Sequence, residues 1–293
     1  MLMGSFLLFS CNKDEDGSEK EMIRLKQYLS DQGYSDIEQT ESGFYHIILN
    51  EGEGANPLFT DFIRINFTGS LIDGTVFETS DEDIAKAHDL YHPDRVFGPA
   101  KFELGRLGIT GLVEGILLMK QGETSRIIIP SKLGFGSSDH GIVPPYSTLI
   151  YDVELLDVIR DPEKHEQRLL EGFLAENNIQ PEALTESGFY YIEKEEGTGS
   201  LPRGISIIDV HAIGTFLDGR VFYSTYDSSP LVVYMDKDDF IPAFQEGLMK
   251  MKKGGKSRLV IPWDIAYGEG GSSNGVIPPY STLVFDLEVL AIQ

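Results

Sequence analysis

Few side chains in this sequence stand in an arrangement that could carry acid–base, nucleophilic or metal chemistry. His88 and His92 have the i, i+4 spacing that can place two metal ligands on one face of a helix. Pro93 interrupts that run, so a solvated loop is the favoured interpretation. The Gly-rich segment 268–275 lacks the Lys-Ser/Thr pair and the helix of a phosphate-binding loop. Since no Ser-His-Asp order or carboxylate pair has supporting context, we expect neither a metal nor a cofactor.

The charge and composition restrict the partners that the protein can bind. Asp and Glu number 47 against 24 Lys and Arg, which gives a net charge of −23. Such a surface repels phosphate backbones, so we expect no nucleic-acid partner. A hydrophobic content of 41% is that of a folded protein, and 293 residues suffice for two ordinary domains.

A short apolar run, residues 1–10, precedes Cys11, the only cysteine of the sequence. The run is too short to span a bilayer but suits the apolar core of a signal peptide, although it lacks a basic start. It resembles a bacterial lipobox, which implies that Cys11 is lipidated and anchors the protein to the outer membrane, on the periplasmic or the exposed face. The acidic stretch 12–16 resembles an export signal of surface lipoproteins, or it is a plain solvated tether. A cytosolic protein with an apolar start is the alternative interpretation.

The chain consists largely of two copies of one unit. Residues 40–45 (TESGFY) recur at 185–190, an offset of 145, whereas residues 114–130 match residues 246–262, an offset of 132. The first copy therefore carries an insertion. Its residues 78–98, 21 in number, stand where the second copy has seven, and we expect them to form a long polar loop.

Each copy begins with a predicted helix. Leu25 and Leu29 lie at helical spacing in an apolar stripe, and they correspond to Leu170 and Leu174 in the second copy. Pro162 marks the second helix start and a domain boundary near it. The predicted segments are a signal and acidic tether (1–18), a helix plus first domain (19–160), and a helix plus second domain (161–293).

Strand patterns surround a single helical pattern in the core of each copy. In the first copy, residues 63–67 alternate between apolar and polar side chains, and the Asp-Gly pair at 73–74 favours a hairpin turn. Residues 123–130 and 148–159 are further β-rich runs, whereas residues 111–119 carry the helical pattern. These patterns predict an α+β fold in which an antiparallel sheet packs on one helix.

Both copies present the same motifs in the same order. In the first copy a strand leads into the motif Thr-Gly-x-Leu-x-Asp-Gly-x-x-Phe (68–77). A Leu-Gly turn and a helix that contains Glu-Gly come next. The last two motifs are Gly-Glu-x-x-Arg-x-x-Ile-Pro (122–130) and Pro-Pro-x-Ser-Thr-Leu (144–149). The second copy adds the flap motifs Ile-Ala-Tyr-Gly (265–268) and Ile-Pro-Pro (277–279). Over roughly residues 42–159 and 187–293, this order resembles that of FKBP-type peptidyl-prolyl cis-trans isomerases. The resemblance implies two tandem domains, each an antiparallel half-barrel sheet wrapped around one short helix, with an aromatic pocket for a proline ring.

The chemistry of such an isomerase needs no acid, base, nucleophile or metal. Rotation about an X-Pro amide crosses a barrier of roughly 18–20 kcal/mol. The twisted amide loses its resonance and is less polar than either planar form, so a dry aromatic cavity favours the transition state.

In the first copy, the resemblance places the pocket on residues that depart from the family pattern in three places. Phe135 replaces the flap tyrosine, Leu112 replaces the tryptophan of the pocket floor, and Glu78 replaces an aspartate. Ile109 would offer its backbone N–H to the substrate carbonyl. The full set of implied pocket positions is Phe67, Phe77, Glu78, Ala100, Ile109, Leu112, Phe135, Val143 and Tyr151.

The second copy keeps the flap tyrosine, Tyr267, but departs elsewhere. Ala212 stands where the family has the first pocket aromatic, and Tyr223 stands where it has the aspartate. Trp263, the only tryptophan, is not the residue of the pocket floor. The implied positions here are Ala212, Phe222, Tyr223, Leu231, Phe240, Ile241, Phe244, Tyr267, Ile277 and Phe285.

Two functions remain open after these departures. The first is a peptidyl-prolyl isomerase that assists the folding of exported or envelope proteins by acting on proline-containing polypeptides; we expect the first copy to be active and leave the second open. The alternative is a non-catalytic peptide-binding or chaperone protein, in which two degenerate pockets gain avidity from being joined in one chain.

Overall fold

The computed structural model describes residues 13–226 and 228–293, which form two compact units. Unit 1 contains the described residues up to Tyr91 together with Phe102–Val158, and unit 2 contains His92–Lys101 together with Ile159–Gln293. The end of the insertion in the first copy is therefore grouped with unit 2. The apolar run 1–10 and Cys11 lie outside the described residues. No helix within the two described ranges is both long and apolar enough to cross a membrane.

Unit 1 is built on an antiparallel sheet. Its elements are α1 (Lys13–Asp31), β1 (Tyr45–Asn50), β2 (Phe62–Leu71), β3 (Val76–Thr79), α2 (Glu82–Ala87), β4 (Ala100–Glu103), α3 (Thr110–Leu118), β5 (Thr124–Ile129) and β6 (Leu149–Ile159). The division into units falls inside two of these strands, so Ala100 and Lys101 of β4 and Ile159 of β6 are counted with unit 2. The strand order is β1-β5-β6-β2-β3, and β4 pairs with β2. The Asp-Gly turn between β2 and β3 places Gly74 at a φ of 88°, a left-handed conformation that favours glycine.

Helix α3 packs on the inner face of this sheet, as the sequence predicts, and begins one residue earlier than the pattern 111–119. Leu112, Val113 and Ile116 are buried in one cluster with Ile127 and the other inner residues of β5. A Cβ on Gly115 would lie 2.6 Å from the Ile127 side chain, so glycine at this position allows the helix to approach the sheet closely.

The insertion after β3 is not wholly a loop, and the sequence expectation was wrong at this point. Residues 82–87 form α2, because the Asp81 carboxylate caps the helix by accepting the Ile84 N–H at 2.9 Å. Glu82 and Lys86 pair at 2.7 Å across one turn. Six residues are too few for an apolar stripe of helical period to stand out in the sequence, although Ala85 is buried.

Helix α1 is bound to the rest of unit 1 through a buried carboxylate. Leu25 and Leu29 bury the apolar face, as predicted. Glu21 accepts the Ser131 N–H at 2.6 Å, the Ser131 hydroxyl at 2.5 Å and the Thr148 hydroxyl at 2.8 Å. Because α1 begins at Lys13, it includes acidic residues that the sequence analysis assigned to a tether.

Unit 2 repeats the architecture. Its elements are α4 (Pro162–Glu176), β7 (Tyr190–Glu195), β8 (Ile207–Phe216), β9 (Val221–Ser224), β10 (Leu231–Tyr234), α5 (Pro242–Met249), β11 (Lys256–Ile261) and β12 (Leu283–Ile292). The strand order is β10-β8-β12-β11-β7, and β9 pairs with β8. Asp161 caps α4 by accepting the Lys164 N–H, with Pro162 in the first turn. The predicted α+β class, with one core helix per sheet and a helix before each, is confirmed in both units.

Replacing Glu21 by alanine tests the buried contact of α1. We expect Glu21→Ala to lower the free energy of unfolding by about 3 kcal/mol, because one N–H and two hydroxyl groups lose a charged partner inside the protein. Chemical denaturation followed by circular dichroism measures this change. Glu19→Ala removes an exposed acid from the same helix and serves as the control. Equal losses in both variants would contradict the role given to Glu21.

Candidate functional site

The structure gathers the predicted pocket residues of unit 1 on one side of the sheet. Phe67 lies on β2, Phe77 and Glu78 on β3, and Tyr151 on β6. Ile109 and Leu112 belong to the start of α3, whereas Phe135 and Val143 lie in residues 130–148, the flap loop of unit 1, between β5 and β6. All of them except Glu78 are buried in one apolar cluster or pack against it. Ala100 lies at the start of β4, and its side chain is not part of that cluster.

Aromatic rings meet edge to face at the centre of this cluster. The Phe77 and Tyr151 rings are 5.7 Å apart at an interplanar angle of 82°. A Cβ on Gly69 of β2 would lie 2.7 Å from the Phe77 ring, so this glycine makes room for the ring. Phe135 stacks on His140 within the flap loop, with centroids 4.2 Å apart. The Phe135 ring brings no hydroxyl to the pocket.

The one polar contact among these side chains joins Tyr151 and Glu78. The Tyr151 hydroxyl donates to the Glu78 carboxylate. Burial, and then the negative charge of Glu78, raise the pKa of Tyr151 well above its ordinary value, so the hydroxyl stays protonated. Sequence reasoning placed both residues in the pocket but did not foresee the bond. One signal in the sequence could have indicated this bond. Tyr151 is a polar residue within the apolar run of β6, and the resemblance places it in the same pocket as the acidic Glu78.

Backbone N–H groups at the helix starts are available to a ligand in both units. Ile109 precedes α3 and Ile241 precedes α5, each in an extended conformation. Within residues 13–226 and 228–293, neither N–H has a hydrogen-bond acceptor. Each can therefore donate to a peptide carbonyl, as the family resemblance implies for Ile109.

Unit 2 contains an open cavity of about 270 Å³ at the predicted place. Its lining includes nine of the ten predicted positions, namely Phe222, Tyr223, Leu231, Phe240, Ile241, Phe244, Tyr267, Ile277 and Phe285. Asp239, Ser272, Asn274 and Val276 also line it, and sequence reasoning missed them. They lie in the loop before α5 and in residues 262–282, the flap loop of unit 2. Loop residues such as these show no periodicity that would point to a cavity.

Three phenylalanines form the floor of this cavity. Phe285 of β12 meets Phe222 at 5.6 Å and 89°, and it meets Phe244 of α5 at 5.0 Å and 71°. Phe240 stacks on Phe244 at 5.4 Å. A Cβ on Gly214 would lie 2.6 Å from Phe222, which repeats the arrangement at Gly69 in unit 1.

Ala212 does not line the cavity, although the sequence resemblance pointed to it. The residue is fully buried in β8, and its N–H donates to the Thr225 hydroxyl at 2.9 Å. His211 lies 3.0 Å from the same hydroxyl and stacks under Tyr226, so packing accounts for this histidine. Tyr223 remains at the rim with 37% of its surface exposed and leaves the cavity open.

The histidines of the insertion do not assemble a metal site. His88 ends α2 through its backbone, and the His92 ring accepts the Asp94 N–H at 3.3 Å. In the part of the chain that the structure describes, no three His, Cys, Asp or Glu side chains come together as metal ligands.

Comparisons with known proteins place both units in one family. The family model described as FKBP-type peptidyl-prolyl cis-trans isomerase matches residues 54–156 and 200–290. The FKBP-type 22 kDa peptidyl-prolyl cis-trans isomerase of Escherichia coli is 38% identical over 124 residues, which are 42% of this chain and 53% of the relative. FkpA of Aeromonas hydrophila is 33% identical over 152 residues, 52% of this chain and 51% of the relative.

The chain also matches solved structures over part of its length. The crystal structure of FkpA from Escherichia coli matches 50% of this chain and 63% of its own, at 28% identity and a TM-score of 0.41. The chain spans about half the length of the two curated relatives. Because the family model matches both repeats and more than half of the residues, the protein belongs to the family of FKBP-type peptidyl-prolyl cis-trans isomerases.

Proposed function

We propose that this protein catalyses cis-trans isomerisation of X-Pro bonds in polypeptides. The observation that carries the proposal is the cavity of unit 2, which is lined by the phenylalanine floor, by Ile241 and by Tyr267. The cavity suits a proline ring, and the Ile241 N–H suits the carbonyl of a bound peptide. Unit 1 offers a related aromatic cluster, in which the Tyr151 hydroxyl is bound to Glu78.

The proposed mechanism uses desolvation and position alone. Apolar rings surround the proline and exclude water, which favours the twisted, less polar amide over both planar forms. The Ile241 N–H holds the neighbouring carbonyl, and the 42% exposed Tyr267 places its hydroxyl beside the peptide. No side chain has to gain or lose a proton during the rotation.

The proposed clients are exported proteins of a bacterial envelope, with the chain anchored through Cys11. The support is the sequence of residues 1–11 and its resemblance to a lipobox. We expect mass spectrometry of the protein made in a bacterial host to find lipid on Cys11, and Cys11→Ser to move the protein from the membrane to the soluble fraction. Recovery of unmodified wild-type protein in the soluble fraction would contradict the anchor.

A non-catalytic holder of extended polypeptides is the second candidate function. Exposed aromatic side chains favour it, because Tyr223, Tyr226, Tyr234 and Tyr267 all present surface in unit 2. Two joined peptide sites would also raise the avidity for one chain.

Variants that lack one phenylalanine of each pocket distinguish isomerase activity from non-catalytic holding of polypeptides. We expect Phe77→Ala and Phe222→Ala each to lower the exchange rate of an X-Pro peptide, because each variant removes an edge-to-face ring from one pocket. The double variant should lower the rate by about 100-fold. NMR exchange measurements on the full chain give these rates. Ile23→Ala and Ile205→Ala, which truncate exposed apolar residues, are the controls. Undiminished suppression of aggregation by the double variant, with no exchange catalysis by the wild type, would favour the holder.

The flap hydroxyl is a second, finer test of the pocket. The Phe222→Ala variant leaves only the unit 1 pocket intact, so its exchange rate measures unit 1. In this variant we expect Phe135→Tyr to raise the exchange rate about fivefold, since one net hydrogen bond to the peptide is worth about 1 kcal/mol. The matched control is Tyr267→Phe in the Phe77→Ala background, which should lose a similar factor. An unchanged rate in both would show that the flap hydroxyl takes no part.

A further inference from the structure

Unit 2 contains a second cavity, of about 320 Å³, on the side of helix α4. Its lining comes from α4 and from both ends of the unit 2 flap loop, and it shares no residue with the phenylalanine-floored pocket. The lining residues are Glu163, Lys164, Glu166, Gln167, Leu170, Pro262, Trp263, Asp264 and Thr282.

Two buried polar groups face this cavity. Glu166 is 5% exposed and accepts the Thr282 backbone N–H at 2.7 Å. The Thr282 side chain is 1% exposed, and its hydroxyl lies close to the Glu166 carboxylate but makes no hydrogen bond of good geometry among the described residues. A buried hydroxyl without such a bond is unfavourable, and it provides both a donor and an acceptor for a ligand.

At the same place in unit 1 the buried polar groups are paired, and one difference between the two copies bears directly on this pairing. By the repeat alignment, Glu21 and Thr148 correspond to Glu166 and Thr282. In unit 1 the Glu21 carboxylate binds the hydroxyls of Ser131 and Thr148, so every polar group there is paired. Trp263 stands in unit 2 where unit 1 has Ser131. The change removes a donor from the carboxylate and adds an aromatic wall.

The charges around the cavity favour a cation. Glu163, Glu166 and Asp264 contribute three carboxylates to the lining, whereas the Lys164 ammonium is bound to Asp161 at 2.6 Å. Lys101 lies near Glu166, but at 3.8 Å, and it donates to the Tyr280 carbonyl at 2.8 Å.

The electrostatic environment of the buried Glu166 carboxylate also favours a bound cation. Burial raises the pKa of Glu166 above its ordinary value, and the Lys101 ammonium only partly offsets this effect. A second cation in contact with the carboxylate would stabilise its ionised form.

We propose that this cavity binds an alkylammonium group, of the kind that a lysine side chain carries. The ammonium donates to the Glu166 carboxylate and to the Thr282 hydroxyl, while Leu170 and Pro262 pack on the aliphatic stem and Trp263 covers it. This binding does not rest on isomerase activity, because it uses a different cavity.

The only tryptophan of the chain lies in the proposed site, so its fluorescence reports binding directly. The full chain is titrated at constant ionic strength with n-butylammonium and, as a neutral counterpart of the same shape, with n-butanol. We expect a saturable change with the ammonium and none with the alcohol. No saturable change, or the same change with both compounds, would overturn the proposal.

Two variants test the residues named. We expect Glu166→Gln to weaken n-butylammonium binding about tenfold or more, because it removes a charge-assisted hydrogen bond. Thr282→Val should weaken binding as well while preserving the fold, since the hydroxyl it removes makes no hydrogen bond of good geometry among the described residues. Glu176→Gln, at an exposed position of α4, is the control. Wild-type affinity in both site variants would overturn the assignment.

A last comparison distinguishes the sources of the ammonium. The probes are a lysine residue blocked at both ends and putrescine, a free diamine. Tighter binding of the blocked lysine supports capture of a polypeptide side chain, and tighter binding of putrescine supports a free amine. If neither probe competes with n-butylammonium, the proposed site is wrong.

Discussion

The edge-to-face packing of Phe222 and Phe244 on Phe285 is the contact on which the proposed site depends. It joins three separate elements of unit 2, namely β9, α5 and β12. Because Phe285 packs against both other rings, it holds the floor of the cavity together. Gly214 contributes by leaving room for Phe222 against β8.

The two repeats have kept this frame and redistributed their polar groups. In unit 1 a hydroxyl on β6, that of Tyr151, meets the carboxylate of Glu78 on β3. In unit 2 the same two positions are Phe285 and Tyr223, so the floor is apolar and the hydroxyl stands at the rim. The flap tyrosine occurs only in unit 2, as Tyr267. The two units therefore have the same fold, but their pockets differ in the number and position of polar groups.

The helices that precede the two cores show the same divergence. Glu21 and Glu166 both reach the ends of a flap loop, which links the position of each helix to the loop beside the pocket. In unit 1 the carboxylate binds both hydroxyls, whereas unit 2 has Trp263 in place of the serine and a cavity beside it. A structural contact in one copy has thus become a candidate binding site in the other.

Much of this architecture is predictable from the sequence because it depends on local patterns that occur twice. The alternating run that became β2, the Asp-Gly turn at Gly74 and the apolar pattern of α3 each indicate their element directly. Helix α2 escaped prediction because a capping bond from Asp81, not an apolar stripe, defines it. Glu21 escaped because its partners Ser131 and Thr148 are more than 100 residues away, and only the folded chain brings them together.

The central claim is that desolvation in an aromatic cavity lowers the rotational barrier without proton transfer. The solvent isotope effect on kcat/KM for an X-Pro peptide tests it most directly. The account predicts a ratio close to one between H2O and D2O, because no proton moves in the transition state. A ratio of about two or more would indicate general acid–base catalysis and would contradict the account.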